Sequence, residues 1–212
     1  GGNPVSTQVN VMTHITAARR TRGAKLVVVD VYRTPTIEQA DIPLIINPGT
    51  DGALALAMMH VMIRDGLVDD DYVSRHASGY DALAERVQQY SPAQVSHTVG
   101  LPVEDIERFA REYATTQPSL LRPLIGIEHH RNGAMQFRTL ACLAVLSGSW
   151  RHRGGGLARS THALHFAALD MDRVLMPEVY KPGARVLNMR DLGDDLCGRE
   201  LHPPVRSLIV YG

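Results

Sequence analysis

Two aliphatic runs, Leu26-Val27-Val28-Val29 and Leu44-Ile45-Ile46, stand out because neither alternates with polar residues and each stops at a polar tip. The first stops at Asp30, the second at Asn47-Pro48-Gly49-Thr50-Asp51. Successive β-branched residues without alternation suit strands covered on both faces, the habit of parallel sheets. Around these runs the spacing becomes helical. Val5, Val9, Met12 and Ile15 recur at helical intervals, and Arg19, Arg20 and Arg22 crowd the turn before Gly23, so one helix is expected from Pro4 to Arg22. A short capped turn is expected over Thr34–Asp41. A longer helix starts at Thr50 or Asp51, runs through Ala53, Leu54, Ala57, Met58, Val61 and Met62 to Arg64, and is closed by Gly66.

Downstream, four short helices are expected at Asp70–His76, Tyr80–Tyr90, Ser91–Thr98 and Pro102–Thr115, with start signals at Ser91-Pro92 and Leu101-Pro102. They form a helical insertion over 69–117 with a structural role. Ser119–Ile127 is a third strand candidate, which Pro123 confines to an edge or a bulge. Ala134–Leu146 is expected as a buried helix, Ser160–Gly183 as an extended connection, and Ser207–Gly212 as a final buried strand. Strands alternating with helices specify an α/β fold, here a three-layer domain with a mainly parallel sheet and helices on both faces.

Charge excludes some function classes. Among 212 residues, 22 Lys and Arg balance 22 Asp and Glu, which gives no electrostatic case for nucleic acid or an anionic membrane. No apolar run approaches the ~20 residues of a membrane span. The start, Gly1-Gly2-Asn3-Pro4, has neither methionine nor a signal-like apolar stretch, as expected of a chain cut from something longer. Cys142 and Cys197 lack ligand-type spacing and are expected as buried thiols.

In parallel α/β sheets, ligands gather at the carboxyl ends of the strands, where Asp30 and Asp51 both fall. A carboxylate there accepts two hydrogen bonds from a ribose diol, or from N1 and the exocyclic amine of guanine. Arg33 offers a planar fork to phosphate. The alternative is that Asp30 caps a turn and Arg33 pairs with a neighbouring acid. Gly1-Gly2-Asn3-Pro4 is either a helix start that an anion approaches or an ordinary Asn-Pro turn. Glu128-His129-His130 suggests metal ligands, but no partner set at recognisable spacing accompanies it, so a polar loop touching a ligand is the better expectation. Gly154-Gly155-Gly156 fits either phosphate or a flexible turn, and His60 reads as an ordinary helix residue.

Taken in order, Gly1-Gly2-Asn3-Pro4, Val27-Val28-Val29-Asp30 with Arg33-Thr34, Ala40-Asp41, and Pro48-Gly49-Thr50-Asp51-Gly52-Ala53-Leu54-Ala55 resemble the molybdopterin oxidoreductases. Leu67 to Val73, His76, Gly79, Tyr90-Ser91-Pro92, Gly126, Asn132-Gly133, Leu146-Ser147-Gly148 and Gly154-Gly155-Gly156 extend the similarity across essentially the whole chain. Members include formate dehydrogenases, nitrate reductases and dimethyl sulfoxide reductase. The resemblance implies an internal portion of such an enzyme, holding one guanine dinucleotide end of a bis-molybdopterin guanine dinucleotide cofactor of molybdenum or tungsten. Asn3, Asp30, Arg33, Gly49, Asp51, Gly126 and His129 match cofactor-contacting positions, although the family often has glutamine where His129 stands. Many members also have Pro and then Arg after the strand-end aspartate, whereas Val31-Tyr32 intervene here before Arg33.

The resemblance further implies an α/β nucleotide-binding domain over 1–157, and over 158–212 a connection with the returning strand of an adjoining α/β domain. The metal ligand and a 4Fe-4S segment would lie outside the chain, so the isolated piece is expected to be inactive, with no catalytic residue of its own. Expected partners are the rest of the polypeptide, a possible electron-transfer subunit and a small-molecule substrate; the compartment is left open. A non-catalytic nucleotide-binding or scaffold α/β domain is the alternative, because the same fold accommodates many nucleotides. A hydrolase built on Glu128, His129 and His130 lacks further ligands.

Overall fold

A computed structural model of the chain describes residues 2–159, 168–179, 183–188, 191–198 and 200–210. Contacts divide the chain into two units, 1–159 and 160–212.

In the first unit, β1 (Val27–Asp30) and β2 (Ile42–Ile45) pair in parallel, with Val27 opposite Ile42 and Asp30 opposite Ile45. The N–H of Asp41 donates to Leu26 O at 2.8 Å and that of Ile46 to Asp30 O at 2.9 Å, extending the ladder at both ends. Their connection is short, with a 3₁₀ turn at Ile37–Gln39. The Asp41 carboxylate accepts the N–H of Leu26 at 2.7 Å and pairs with Arg19 at 2.5 Å. Those bonds, the Leu26 amide first, hold its pKa below the ordinary value. A second parallel pair joins β3 (Leu120–Leu121) to β4 (Gly156–Leu157). The chain is thus α/β.

The core centres on α3 (Asp51–Arg64), whose Leu54, Ala55, Ala57, Met58, Met59, Val61 and Met62 are all buried. That exceeds the one-sided stripe of a surface helix, because neighbours surround it. These are α6 (Pro92–Val99), α7 (Val103–Thr115) and α8 (Gly133–Leu146). Gly52 lets α8 come close, since a β-carbon there would lie 3.2 Å from Gln136 Cγ. α4 (Asp70–His76) and α5 (Tyr80–Val87) form as the sequence indicates. Ser91 and Gln94 close a reciprocal capping box at the start of α6, and Gly100 ends it in the left-handed conformation.

Several expectations change. The helix over 4–22 is two, α1 (Pro4–Thr7) and α2 (Val9–Arg22), separated at Gln8 with φ −142° and ψ 55°. Asn3 O accepts the N–H of both Ser6 and Thr7, closing a tight first turn on itself. The 119–127 strand is only two residues long. Pro123 lacks an N–H to continue a ladder, and the chain turns 3₁₀ at Ile125–Ile127. β2 is covered on one face only, since Leu44 and Ile46 join the core while Pro43 and Ile45 are exposed.

In the second unit, residues 160–167 of the expected extended connection lie outside the described residues. The described part contains a helix, α9 (Met171–Leu175), which Asp170 caps through the N–H of Arg173. A further helix, α10 (Leu192–Cys197), follows. The final strand does not form over 207–210: Ile209 is 90% exposed, and an aliphatic run without a partner strand has no ladder to join. Tyr211 and Gly212 lie outside the described residues. Both cysteines are free, Cys142 half-buried and Cys197 exposed rather than buried.

Candidate functional site

Parallel pairing brings the carboxyl ends of β1 and β2 to one edge of the sheet. Asp30 sits there buried, one carboxylate oxygen accepting the N–H of Val31 at 2.8 Å. The turn expected from an aspartate at a strand end is therefore present. After β2, Asn47 fixes the next loop: its N–H donates to Val99 O at 2.8 Å and its Nδ2 to Thr98 O at 3.0 Å. Thr50 Oγ1 donates back to Asn47 O at 2.6 Å. Between them Gly49 adopts φ 78°, a conformation that glycine reaches without strain. Asp51 is the first residue of α3, half-exposed. The N–H groups of Gly49, Asp51 and Ala53 have no acceptor among the described residues. These amides open a helix of 14 residues, a setting that favours anionic or carbonyl oxygens.

The opposite wall comes from the turn before α8 and its first residues. A β-carbon on Gly49 would lie 3.1 Å from His130 Nδ1, so the imidazole rests on that glycine. The N–H of Gly52 donates to Gln136 Oε1 at 3.3 Å. Gln136 is 5% exposed. Of the two adjacent histidines, His130 meets the loop while His129 is exposed. Gly126 is exposed within the 3₁₀ turn rather than at a strand end. Glu128 pairs with Arg159, whose guanidinium lies over the Phe137 ring at 5.4 Å.

Asn3 and Arg33 behave differently from one another. Asn3 Oδ1 accepts the Thr36 hydroxyl at 2.6 Å, and Thr36 Oγ1 accepts the N–H of Val5 at 3.2 Å, tying α1 to the loop that leaves β1. Arg33 is exposed and has no partner among the described residues, so the expected alternative of a neighbouring acid is not what the structure holds.

Other candidates resolve as structure. The described residues contain no group of three or more His, Cys, Asp or Glu arranged to hold a metal ion. His60 Nδ1 meets Val87 O at 3.1 Å. Side chains on Gly155 and Gly156 would strike Ser149 O and the Trp150 ring, so these two serve close packing, while Gly154 lies in open space at φ 87°. An open cleft bordered by Arg19, Arg20, Lys25 and Asp41 lies at the carboxyl end of α2, where helix carbonyls disfavour anions. No described helix is long and apolar enough to cross a membrane.

The family model for molybdopterin oxidoreductases matches residues 1–194. The chain belongs to the molybdopterin oxidoreductases. It is 41% identical over its whole length to the probable oxidoreductase YoaE of Bacillus subtilis, matching 31% of that protein. It is 30% identical to formate dehydrogenase H of Escherichia coli over 86% of this chain and 25% of that one. Acetylene hydratase from Pelobacter acetylenicus superposes with a TM-score of 0.64 at 33% identity, over 66% of this chain and 19% of the other. The chain therefore spans less than a third of the length of these relatives.

Proposed function

We propose that residues 1–157 hold one guanine dinucleotide end of a bis-molybdopterin guanine dinucleotide cofactor, within a longer molybdopterin oxidoreductase. The parallel pairing of Asp30 with Ile45 carries the proposal, because it delivers the Asp30 tip and the Asn47–Asp51 loop to one edge. The donor set suits such a group. Asp30 and Asp51 supply acceptors for a ribose diol or the guanine N–H groups, and the amides of Gly49, Asp51 and Ala53 supply donors for oxygens. Arg33 supplies an exposed fork for phosphate. Asn3 orders the edge through Thr36, and Gly126 and His129 extend it from the turn before α8. Once bound, the cofactor's metal would carry the redox chemistry.

Relatives named as a dehydrogenase, a reductase and a hydratase share this portion with the chain, which fits a cofactor-holding role better than a substrate-choosing one. The metal ligand, an iron–sulfur segment, substrate contacts and any electron-transfer partner would come from outside residues 1–212. Residues 158–212 would lead into an adjoining α/β domain. The test is Asp30→Ala and Asp51→Ala in the full-length enzyme, measuring guanosine monophosphate released by acid and molybdenum or tungsten per protein. Both contents are expected to fall; wild-type values in both variants would overturn the proposal.

A further inference from the structure

Arg159 leaves β4 with its backbone already fixed: the N–H of Ala158 donates to Leu121 O at 2.9 Å, and Arg122 Nη1 donates to Ala158 O at 3.3 Å. Its guanidinium then makes two contacts in one small region. It pairs with the Glu128 carboxylate, and it lies 5.4 Å from the centre of the Phe137 ring on α8. Neither charge has another ion-pair partner among the described residues. Between Glu128 and α8 the chain folds tightly on itself. The N–H of Gly133 donates to His130 O at 2.9 Å, and a β-carbon on Gly133 would lie 2.5 Å from Glu128 O. A displacement of Glu128 is thus passed to His130, whose ring rests on Gly49. A continuous line of contacts therefore runs from the second parallel pair to the loop after β2. The ion pair is partly exposed, 46% at Arg159 and 26% at Glu128, so it adds little to the stability of the whole fold. Its effect is local placement.

We propose that Arg159 is a positioning residue for the candidate site: through Glu128 it holds the turn before α8, and through His130 that turn braces Gly49 in the loop after β2. The inference goes beyond the function proposed above. It concerns contacts within the protein alone, so it does not depend on which ligand the edge receives. Arginine suits the position because its flat guanidinium offers charge to Glu128 and a face to Phe137 at once, whereas a lysine ammonium supplies the charge without the planar face.

The experiment follows amide hydrogen exchange by mass spectrometry in the full-length enzyme, using Arg159→Met, Glu128→Arg, the swapped pair of Arg159→Glu with Glu128→Arg, and His130→Ala. The reporters are peptides that contain Gly133 in the turn, Asn47 and Thr50 in the loop, and Gly156 and Ala158 along the β4 ladder; all five amides donate to backbone oxygens. Arg159→Met is expected to speed exchange at Gly133 and Thr50 by about fivefold, the upper worth of an exposed ion pair, and to leave Gly156, Ala158 and the thermal midpoint nearly unchanged. The swapped pair is expected to restore part of the protection that Glu128→Arg alone removes. With His130→Ala in place, Arg159→Met should still loosen Gly133 but no longer alter Thr50. Wild-type exchange at both Gly133 and Thr50 in Arg159→Met overturns the proposal. Faster exchange at Gly133 alone also overturns it, leaving only a tether on the turn, and a swap that restores nothing removes the ion pair as its basis. Bound nucleotide is not among these readouts, so failure of the cofactor assignment leaves them standing.

Discussion

The His130 ring lies against Gly49, so close that a β-carbon there would sit 3.1 Å from Nδ1, while Gly49 itself holds φ 78°. Two penalties therefore meet at one position. Alanine in a left-handed conformation costs about 1–2 kcal/mol, and the imidazole must also move. Gly49→Ala is expected to lower the thermal midpoint by a few degrees and to reduce bound nucleotide. Adding His130→Ala should restore part of the loss by clearing the ring away. Calorimetry of the two variants, with nucleotide assay, checks this.

Asp69 organises a second junction. Its carboxylate receives a fork from Arg151 at 2.7 and 2.9 Å and caps α4 through the N–H of Tyr72 at 2.9 Å. The Arg151 bonds foremost hold its pKa below the ordinary range. Gly148, at φ 61°, faces that carboxylate so closely that a side chain would overlap it. Gly148→Ala is expected to destabilise by more than the ~1–2 kcal/mol of backbone strain alone. Arg151→Met should cost less, because Asp69 keeps its capping bond; urea melts compare the two.

Acid reports on a surface network. Asp65 lies between Arg64 at 2.7 Å and Arg111 at 2.8 Å, and their hydrogen bonds lower its pKa from 3.8 to about 2. A folded-state value below the unfolded one gives stability that is complete above the unfolded value and disappears as pH falls through the folded one. The difference in melting temperature between wild type and Asp65→Asn should therefore shrink from pH about 4 down to about 2. Added salt should shrink it further, since the arginines are solvent-exposed. Melts across that pH range measure it.

Met59 and Met62 are fully buried on α3. Methionine to alanine at such a site removes packing and leaves a cavity, typically costing about 2–5 kcal/mol. Met59→Ala is expected to fall in that range, measured by denaturant unfolding, whereas the same change at exposed Met135 should leave stability nearly unchanged.

Much of this was legible in the chain. Aliphatic runs with polar tips gave β1 and β2, and Ser91-Pro92 marked the start of α6, because buried strands and capped helices leave local marks. The break at Gln8 left none, since the apolar spacing of Val5, Met12 and Ile15 continues past it. Residues 207–210 carry a strand-like composition without forming a strand, because pairing is a property of neighbours rather than of composition. The site divides in the same way. Asp30 and Asp51 were visible as strand-end acids. That His130 rests on Gly49 depends on which side chain an irregular turn directs inward. Gln136 looked like any helix residue until the position of Gly52 gave it a partner.

Asn47 takes its two acceptors, Thr98 O and Val99 O, from the end of α6, about fifty positions downstream. The helices α4 to α7 are thus a jig for the loop as well as a cover. A graft of residues 25–64 into another scaffold would carry Asp30, Gly49 and Asp51, yet Asn47 would have nothing to grip. A change that shifts the last turn of α6 would move both acceptors at once and let the loop go.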